Sequence, residues 1–481
     1  MPSASSAHSE VIQAQAMPSP RSVDAVITFR NSQGEIVRGV LTNHQRRSLV
    51  MEVYNPYSIV QVSEVLSELT VRAGERAIYR GKAVVVSLLN TGLMAVVSVT
   101  LIDEWDELTV MGHDPASFAE QARAFVREWD TRFTIGESYQ VAVSELRAYL
   151  SDVSRWVDQA DMSATLPKDA EGKLRKDVFF EIAEPLMLRA RSYFDRLEEV
   201  SRDVPEPLQA THRTFAQTAI HPLILRAPFV YRTFAKPLGY AGDYQMVNQM
   251  LQDPRDGAST YFQIINALFL NAAVARAHRN RIDILVDTLS PLPQRATADA
   301  PTVRVLNVGC GPAVEIQRLI AEHPTPERLA FTLMDFSEET LAYTRGKIEA
   351  ACAQRGVQVG ITLVHESVHN LLKRASSDRG GVEDEFDFVY CAGLFDYLSD
   401  KVCQRLLQYF AVRTRAGGGT LVTNVHRNNP EKGVMEHLLE WHLIYRDEAD
   451  MRRLAPEGTR VERIWTDATG VNVFMQLVNA D

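Results

Sequence analysis

Val305-Leu-Asn-Val-Gly309-Cys-Gly311-Pro-Ala313 is the stretch that decides the fold. A largely apolar run leads straight into Gly-x-Gly, and a helical pattern begins near Val314. Glycine lets the backbone pass close to a ligand, because no Cβ stands in the way. A strand that ends in such a turn also opens the next helix N-terminus toward whatever binds there. Gly-x-Gly alone is a weak signal. A dinucleotide fold continues to a third glycine, but Val314 stands three residues past Gly311, which breaks the dehydrogenase pattern.

The residues downstream strengthen the reading. From about Thr302 to Asn479 strand-like and helix-like segments alternate, which predicts a parallel sheet with crossover helices. Strands are predicted over Val303–Val308, Ala330–Met334, Ile361–Val364, Phe386–Tyr390 and Gly419–Asn424. Arg460–Trp465 and Val471–Val478 read as a final pair. Asp335 ends the second strand, with Phe336 beside it, about 24 residues after Gly311. An acid so placed can accept hydrogen bonds from both hydroxyls of a ribose. Glu366 and Ser367 end the third strand, where they either flank an adenine or stand in solvent. Cys391, Ala392 and Gly393 follow the fourth. All of these lie past the C-terminal strand ends, where open α/β sheets bind ligands.

In this order the set resembles the class I methyltransferases that use S-adenosylmethionine (SAM), over about the last 180 residues. The resemblance implies a Rossmann-like sheet. It maps the glycine-rich motif onto Gly309, Cys310 and Gly311, the ribose acid onto Asp335, and the loop after strand four onto Cys391 to Phe395.

Upstream, Lys236-Pro-Leu-Gly239-Tyr240-Ala-Gly242-Asp243-Tyr244 makes a poor helix and a good ordered loop. Asp243 is a candidate for the methionine amino group, and Tyr240 and Tyr244 for the acceptor; a glycine turn with packed rings is the plainer reading. A helix predicted over Tyr261–Asp287 carries Arg279 and Arg281. Either can fix the methionine carboxylate through paired hydrogen bonds, or stand on a solvated face. His426 ends the fifth strand and can orient an acceptor or act as a base. A further helix is predicted over Met435–Tyr445, with an apolar, aromatic stripe that lines either an acceptor pocket or the core. No metal site is indicated, since His437 and His442 are five apart rather than four.

Lys236 to Tyr244, Ala277-His-Arg-Asn-Arg281 and Asn307-Val-Gly-Cys-Gly311 together resemble a narrower family. These are bacterial methyltransferases associated with 3-hydroxypalmitic acid methyl ester, a quorum-sensing signal. That resemblance runs from roughly Pro222 to the C-terminus. It implies O-methylation of a 3-hydroxy fatty acid carboxyl group, so the partner is a lipid-like small acid. Two other readings stay open: methylation of a phenol or polyketide acid, and a SAM-binding regulatory protein without turnover.

The rest of the chain has different patterns. Residues 1–22 are rich in Ser, Ala and Pro, which predicts a disordered arm rather than a secretory leader. Residues 23–113 read as short strands, over Asp24–Phe29, Arg38–Thr42 and Ser48–Val53, which suggests a small antiparallel barrel. This resembles a PilZ domain. Arg46-Arg47-Ser48 is present, but Leu49-Val50-Met51 follows and the motif glycine is missing, so the resemblance implies a barrel without nucleotide binding, for docking or a homodimer. Ala83–Ile102 is uncharged for 20 residues, yet Asn90-Thr-Gly92 interrupts it and β-branched residues flank the turn. That predicts a buried hairpin, with no integral membrane segment. Residues 114–291 show helical periodicity over Ser117–Asp130, Glu137–Ala160 and Asp177–Val200, predicting a helical cap or substrate domain ahead of a SAM-binding domain at 292–481. The whole is a multi-domain α/β chain of 481 residues. Its net charge of −10 argues against nucleic acid as partner. Four cysteines with no CxxC pair point to a reducing, cytoplasmic setting.

Overall fold

The computed structural model describes residues 25–30, 36–45, 47–53, 60, 64–73, 76–90, 95–103, 123, 126, 134–162, 165–205, 208–368, 371 and 385–479. The arm predicted at 1–22, Arg46, the turn at 91–92 and nearly all of the helix predicted over 117–130 lie outside these residues. The chain forms two compact units, which divide at Gly112.

The first unit is a closed antiparallel barrel. Its strands are β1 (Ala25–Arg30), β2 (Ile36–Gln45), β3 (Ser48–Val53), β4 (Val65–Ala73), β5 (Arg76–Asn90) and β6 (Ala95–Leu101), in the order β1-β2-β3-β6-β5-β4. Alternate side chains point inward, as the two-residue period of a strand requires. Ile27, Phe29, Leu49, Met51, Val97 and Val99 fill the interior. The uncharged run at 83–102 supplies parts of two barrel walls, and no helix among the described residues is long and apolar enough to cross a membrane. β4 has no clean alternation because Glu68 adopts a left-handed φ of 55° and the register shifts between Leu66 and Leu69. Both leucines are fully buried although they stand three apart.

Among the described residues, the second unit holds helices α1 (Glu137–Asp161), α2 (Lys176–Arg202), α3 (Gln209–Ile224), α4 (Pro228–Ala235) and α5 (Tyr244–Leu251). The helix predicted over 261–287 is two helices, α6 (Thr260–Leu270) and α7 (Ala273–Leu289). Ala272 between them is extended, and the Glu431 carboxylate accepts the first backbone N–H groups of α7, from Ala273 at 2.7 Å and Val274 at 3.2 Å. A carboxylate there satisfies orphan donors and complements the helix dipole, so the break is stabilised.

The sheet follows. Its strands are β7 (Val303–Val308), β8 (Leu329–Asp335), β9 (Gly360–His365), β10 (Phe386–Cys391), β11 (Thr414–Val425), β12 (Thr459–Thr466) and β13 (Asn472–Asn479). The order is β12-β13-β11-β10-β7-β8-β9. β7 to β11 pair in parallel, while β13 runs antiparallel to both β11 and β12. Among the described residues, the sheet carries helices α8 (Val314–Glu322), α9 (Glu338–Arg355), α10 (Asp400–Arg413), α11 (Lys432–Leu438) and α12 (Glu448–Leu454). The helix predicted over 435–445 stops early: α11 ends at Leu438, and Glu440 turns the chain with a left-handed φ of 47°. The helices of the middle segment share one core with the sheet segment, since Leu146, Leu197 and Ile220 cluster with Val425, Met435 and Trp441. Chain order reverses between β7 and β10, which opens a crevice past their C-terminal ends.

Candidate active site

The turn after β7 is built from both sides. Gly309 and Gly311 have φ of 72° and 51°, a region that side chains with a Cβ seldom enter. The N–H groups of Gly309 and Cys310 donate to the Met334 carbonyl, at 2.8 and 3.1 Å. Gly311 N–H donates to Asp335 Oδ2 at 3.1 Å, while Asp335 Oδ1 accepts the Ser337 N–H at 3.0 Å. Asp335 is therefore a brace for the glycine turn as well as an acid on the wall. Burial raises its pKa, and the N–H bonds from Ser337 and Gly311 oppose that rise.

Beyond the turn lies a cavity of about 1090 Å³, a volume that includes the open solvent at its mouth. Gly309, Cys310, Gly311, Asp335 and Phe336 form one wall, and Ala392 and Gly393 another. Tyr240 and Tyr244 close the Asp335 end. Tyr240 OH lies 3.4 Å from Thr340 Oγ1, and its ring meets Phe336 edge-on at 4.9 Å. Burial pushes the Tyr240 hydroxyl up to about 12. Tyr244 OH donates to Glu339 Oε1 at 2.8 Å. Both hydroxyls thus pin the 236–244 loop to the first turn of α9.

At the other end stands Arg281 of α7, nine-tenths buried. Its Nη1 is buried without a hydrogen-bond partner. Burial lowers its pKa, against the pull of Asp396, Tyr397 and Glu315. Gly393, with φ of 95°, leaves room for it: a Cβ there would sit 2.8 Å from Arg281 Nη1. An unpartnered buried guanidinium costs stability, and a bound carboxylate would offset that cost.

Other predicted residues lie off this wall. Arg279 donates to the Met250 carbonyl at 3.2 Å and does not line the cavity. Asp243 caps α5 by accepting the Met246 N–H at 2.9 Å and also pairs with Arg232 at 2.9 Å. Glu366 donates its backbone N–H to the Asp335 carbonyl at 3.0 Å, and Glu366 Oε1 accepts the Ser367 N–H at 3.2 Å. Cys391 is fully buried, its thiol pushed well up by desolvation. His426 is committed elsewhere: Nδ1 accepts the Asn428 N–H at 3.0 Å, so Nε2 carries the proton and donates to Glu448 at 3.1 Å.

Residues 305–418 match a family described as Methyltransferase domain. That segment of the chain carries a methyltransferase domain. No curated protein sequence matches the chain. Among solved structures, a possible exported protein from Bordetella parapertussis is 17% identical, with 52% of this chain and 86% of that chain covered and a TM-score of 0.41. Magnesium protoporphyrin IX methyltransferase from Synechocystis, with bound S-adenosylhomocysteine (SAH), is 12% identical over 43% of this chain and 87% of that one, at a TM-score of 0.32. N-methyltransferase NodS from Bradyrhizobium japonicum is 15% identical over 43% and 98%, at 0.29. Likenesses this distant say nothing of the acceptor.

The cavity also includes residues from the loop after the fourth strand and from the aromatic stretch read as either an acceptor pocket or core. Asp396 and Tyr397 follow β10, and Trp441 and Leu443 come from the extended stretch after α11. Trp441 Nε1 donates to Tyr397 OH at 3.0 Å. Asp396 Oδ1 accepts the Val425 N–H at 2.5 Å, and burial pushes its carboxyl up to about 6. Arg446, 2% exposed, holds this turn by donating to the Phe395 and Leu398 carbonyls at 2.8 and 2.6 Å and to Asp400. Glu315 of α8 is buried against Tyr390, whose hydroxyl donates to it at 2.7 Å. Its only sequence signal is an acid beside Ile316 on an apolar helix face.

Proposed function

We propose that the chain transfers a methyl group from SAM to the carboxylate of a 3-hydroxy fatty acid, giving a methyl ester of the quorum-sensing type. The observation that carries the cofactor reading is the pairing, in one cavity, of Asp335 with the unpartnered Nη1 of Arg281. Asp335 suits a ribose, and Arg281 suits the methionine carboxylate. The acceptor reading rests on the resemblance in Lys236–Tyr244, Ala277–Arg281 and Asn307–Gly311, together with the apolar wall of Tyr397, Val425, Trp441 and Leu443.

Bound SAM supplies a sulfonium methyl group as electrophile. A fatty carboxylate is already ionised near neutral pH, so the chain needs no strong base. That agrees with the commitment of His426 to Glu448 and Asn428; a phenol would need a base. The residues act by holding the carboxylate oxygen in line at roughly 3–3.5 Å from the methyl carbon. Methyl transfer consumes one positive and one negative charge, so a cavity that excludes water lowers the barrier. Tyr397, which already accepts from Trp441, has its own hydroxyl proton to donate to the acceptor carboxylate. On this reading Tyr240 and Tyr244 cover the ribose end, rather than the acceptor. We take the barrel as a PilZ-like docking module for a homodimer.

Titration calorimetry with SAM and SAH, followed by mass spectrometry of products from 3-hydroxy fatty acids, tests the reading. Binding and methyl ester formation are expected. A well-folded chain that binds neither SAM nor SAH would remove it.

A further inference from the structure

α7 carries a second group on the cavity wall that the mechanism above does not use. His278 stands three residues before Arg281, so the two side chains share one helix face. Both line the cavity, and His278 is 8% exposed. Its Nδ1 lies 2.9 Å from the Val274 carbonyl, one turn back on the same helix. A carbonyl only accepts, so Nδ1 carries the hydrogen, and in a neutral ring Nε2 is then a bare acceptor. The ring stays neutral: burial first, then the guanidinium of Arg281, hold its pKa down at about 3. Nε2 is on the opposite edge of the ring from the helix backbone, and no described residue donates to it. Trp441 packs at 6.4 Å between ring centroids, but its indole N–H is spent on Tyr397. Nε2 is open to the cavity, so the arrangement suits a ligand that brings a donor.

The charge around Nε2 narrows the class of donor. Arg281 and Arg279 disfavour a second cation there. A carboxylate would set lone pair against lone pair. A neutral hydroxyl remains, on the acceptor side of the cavity where Trp441 packs against the ring. We propose that His278 is a specificity-determining residue, whose Nε2 accepts the hydroxyl hydrogen of the acceptor and so selects hydroxy acids over unsubstituted acids. This rests on the carboxylate reading above and names the residue that reads the hydroxyl.

The test uses the full chain. Methyl ester formation is followed with a 3-hydroxy acid and the unsubstituted acid of equal length, for wild type, His278→Phe and His278→Gln, with the Kd for SAM measured in parallel. Wild type is expected to prefer the hydroxy acid by about 10–100-fold in kcat/KM, the ratio that corresponds to one hydrogen bond lost from an acceptor in the site. His278→Phe brings the ratio close to one through loss on the hydroxy acid alone, with SAM binding kept. His278→Gln, whose amide oxygen can accept, retains part of the preference and covers the case in which the phenylalanine variant does not fold. An unchanged ratio in folded variants, or no preference in wild type, overturns the proposal. If wild type binds SAM but esterifies neither acid, the carboxylate reading itself fails and takes this one with it.

Discussion

Asp335 spends one oxygen on Gly311 N–H and the other on Ser337 N–H before any ligand arrives. An amide has one acceptor oxygen where the carboxylate has two. Even the conservative Asp335→Asn is therefore expected to weaken SAM binding, by at least about tenfold, in a calorimetric titration. Arg281→Met is expected to weaken SAM by about 10–100-fold while leaving the melting temperature no lower, because it removes a buried guanidinium whose Nη1 lacks a hydrogen-bond partner. Calorimetry and a thermal melt on the same sample separate the two effects. Asp396 gives a pH signature. Its carboxyl is raised on folding, up to about 6. Its contribution to stability is full below about pH 4 and lost as pH rises through 6, because the folded chain binds the proton more tightly. Asp396→Asn keeps an acceptor for the Val425 N–H and removes the charge. The variant should melt above wild type at pH 7 and converge with it toward pH 4, a difference on the order of 2–3 kcal/mol at most. Melting curves across that range that stay parallel would refute the assignment.

Elements follow from sequence wherever their cause is local. The strands β7, β8 and β10 are near-continuous apolar runs because a parallel sheet buries both faces, and Gly309, Gly311 and Asp335 fall where such strands end. The break between α6 and α7 has a cause 158 residues away, in Glu431, so no window of sequence around Asn271 could show it. The same holds for His426, whose neutral look in sequence concealed a partner on α12. β4 escaped for a different reason: the bulge at Glu68 put Leu66 and Leu69 on one face and erased the alternation. Arg281 was legible only as one of two candidates, since i and i+2 on a helix look alike until the helix is placed. Glu431→Ala should remove the cap on α7, at a cost of about 1–2 kcal/mol, seen as a melting temperature about 2–4 °C lower. A variant that melts with wild type would mean that the break needs no carboxylate.

At the scale of the molecule, every described residue that lines the cavity belongs to the second unit. Residues 113–481 made alone should bind SAM with the Kd of the full chain, and the full chain should melt in two steps. A fragment that folds yet fails to bind would tie the barrel to the cofactor site. The sheet has a further consequence for how the protein is made. β13 pairs along β11 from Gly419–Val478 to Val425–Asn472, and it also provides the pairing for β12. While the ribosome is still adding residues before Asn472, β11 presents a bare edge and β12 has no neighbour. The sheet therefore closes only once β13 has been made, and a chain that stalls before it presents a sticky strand edge to chaperones and proteases.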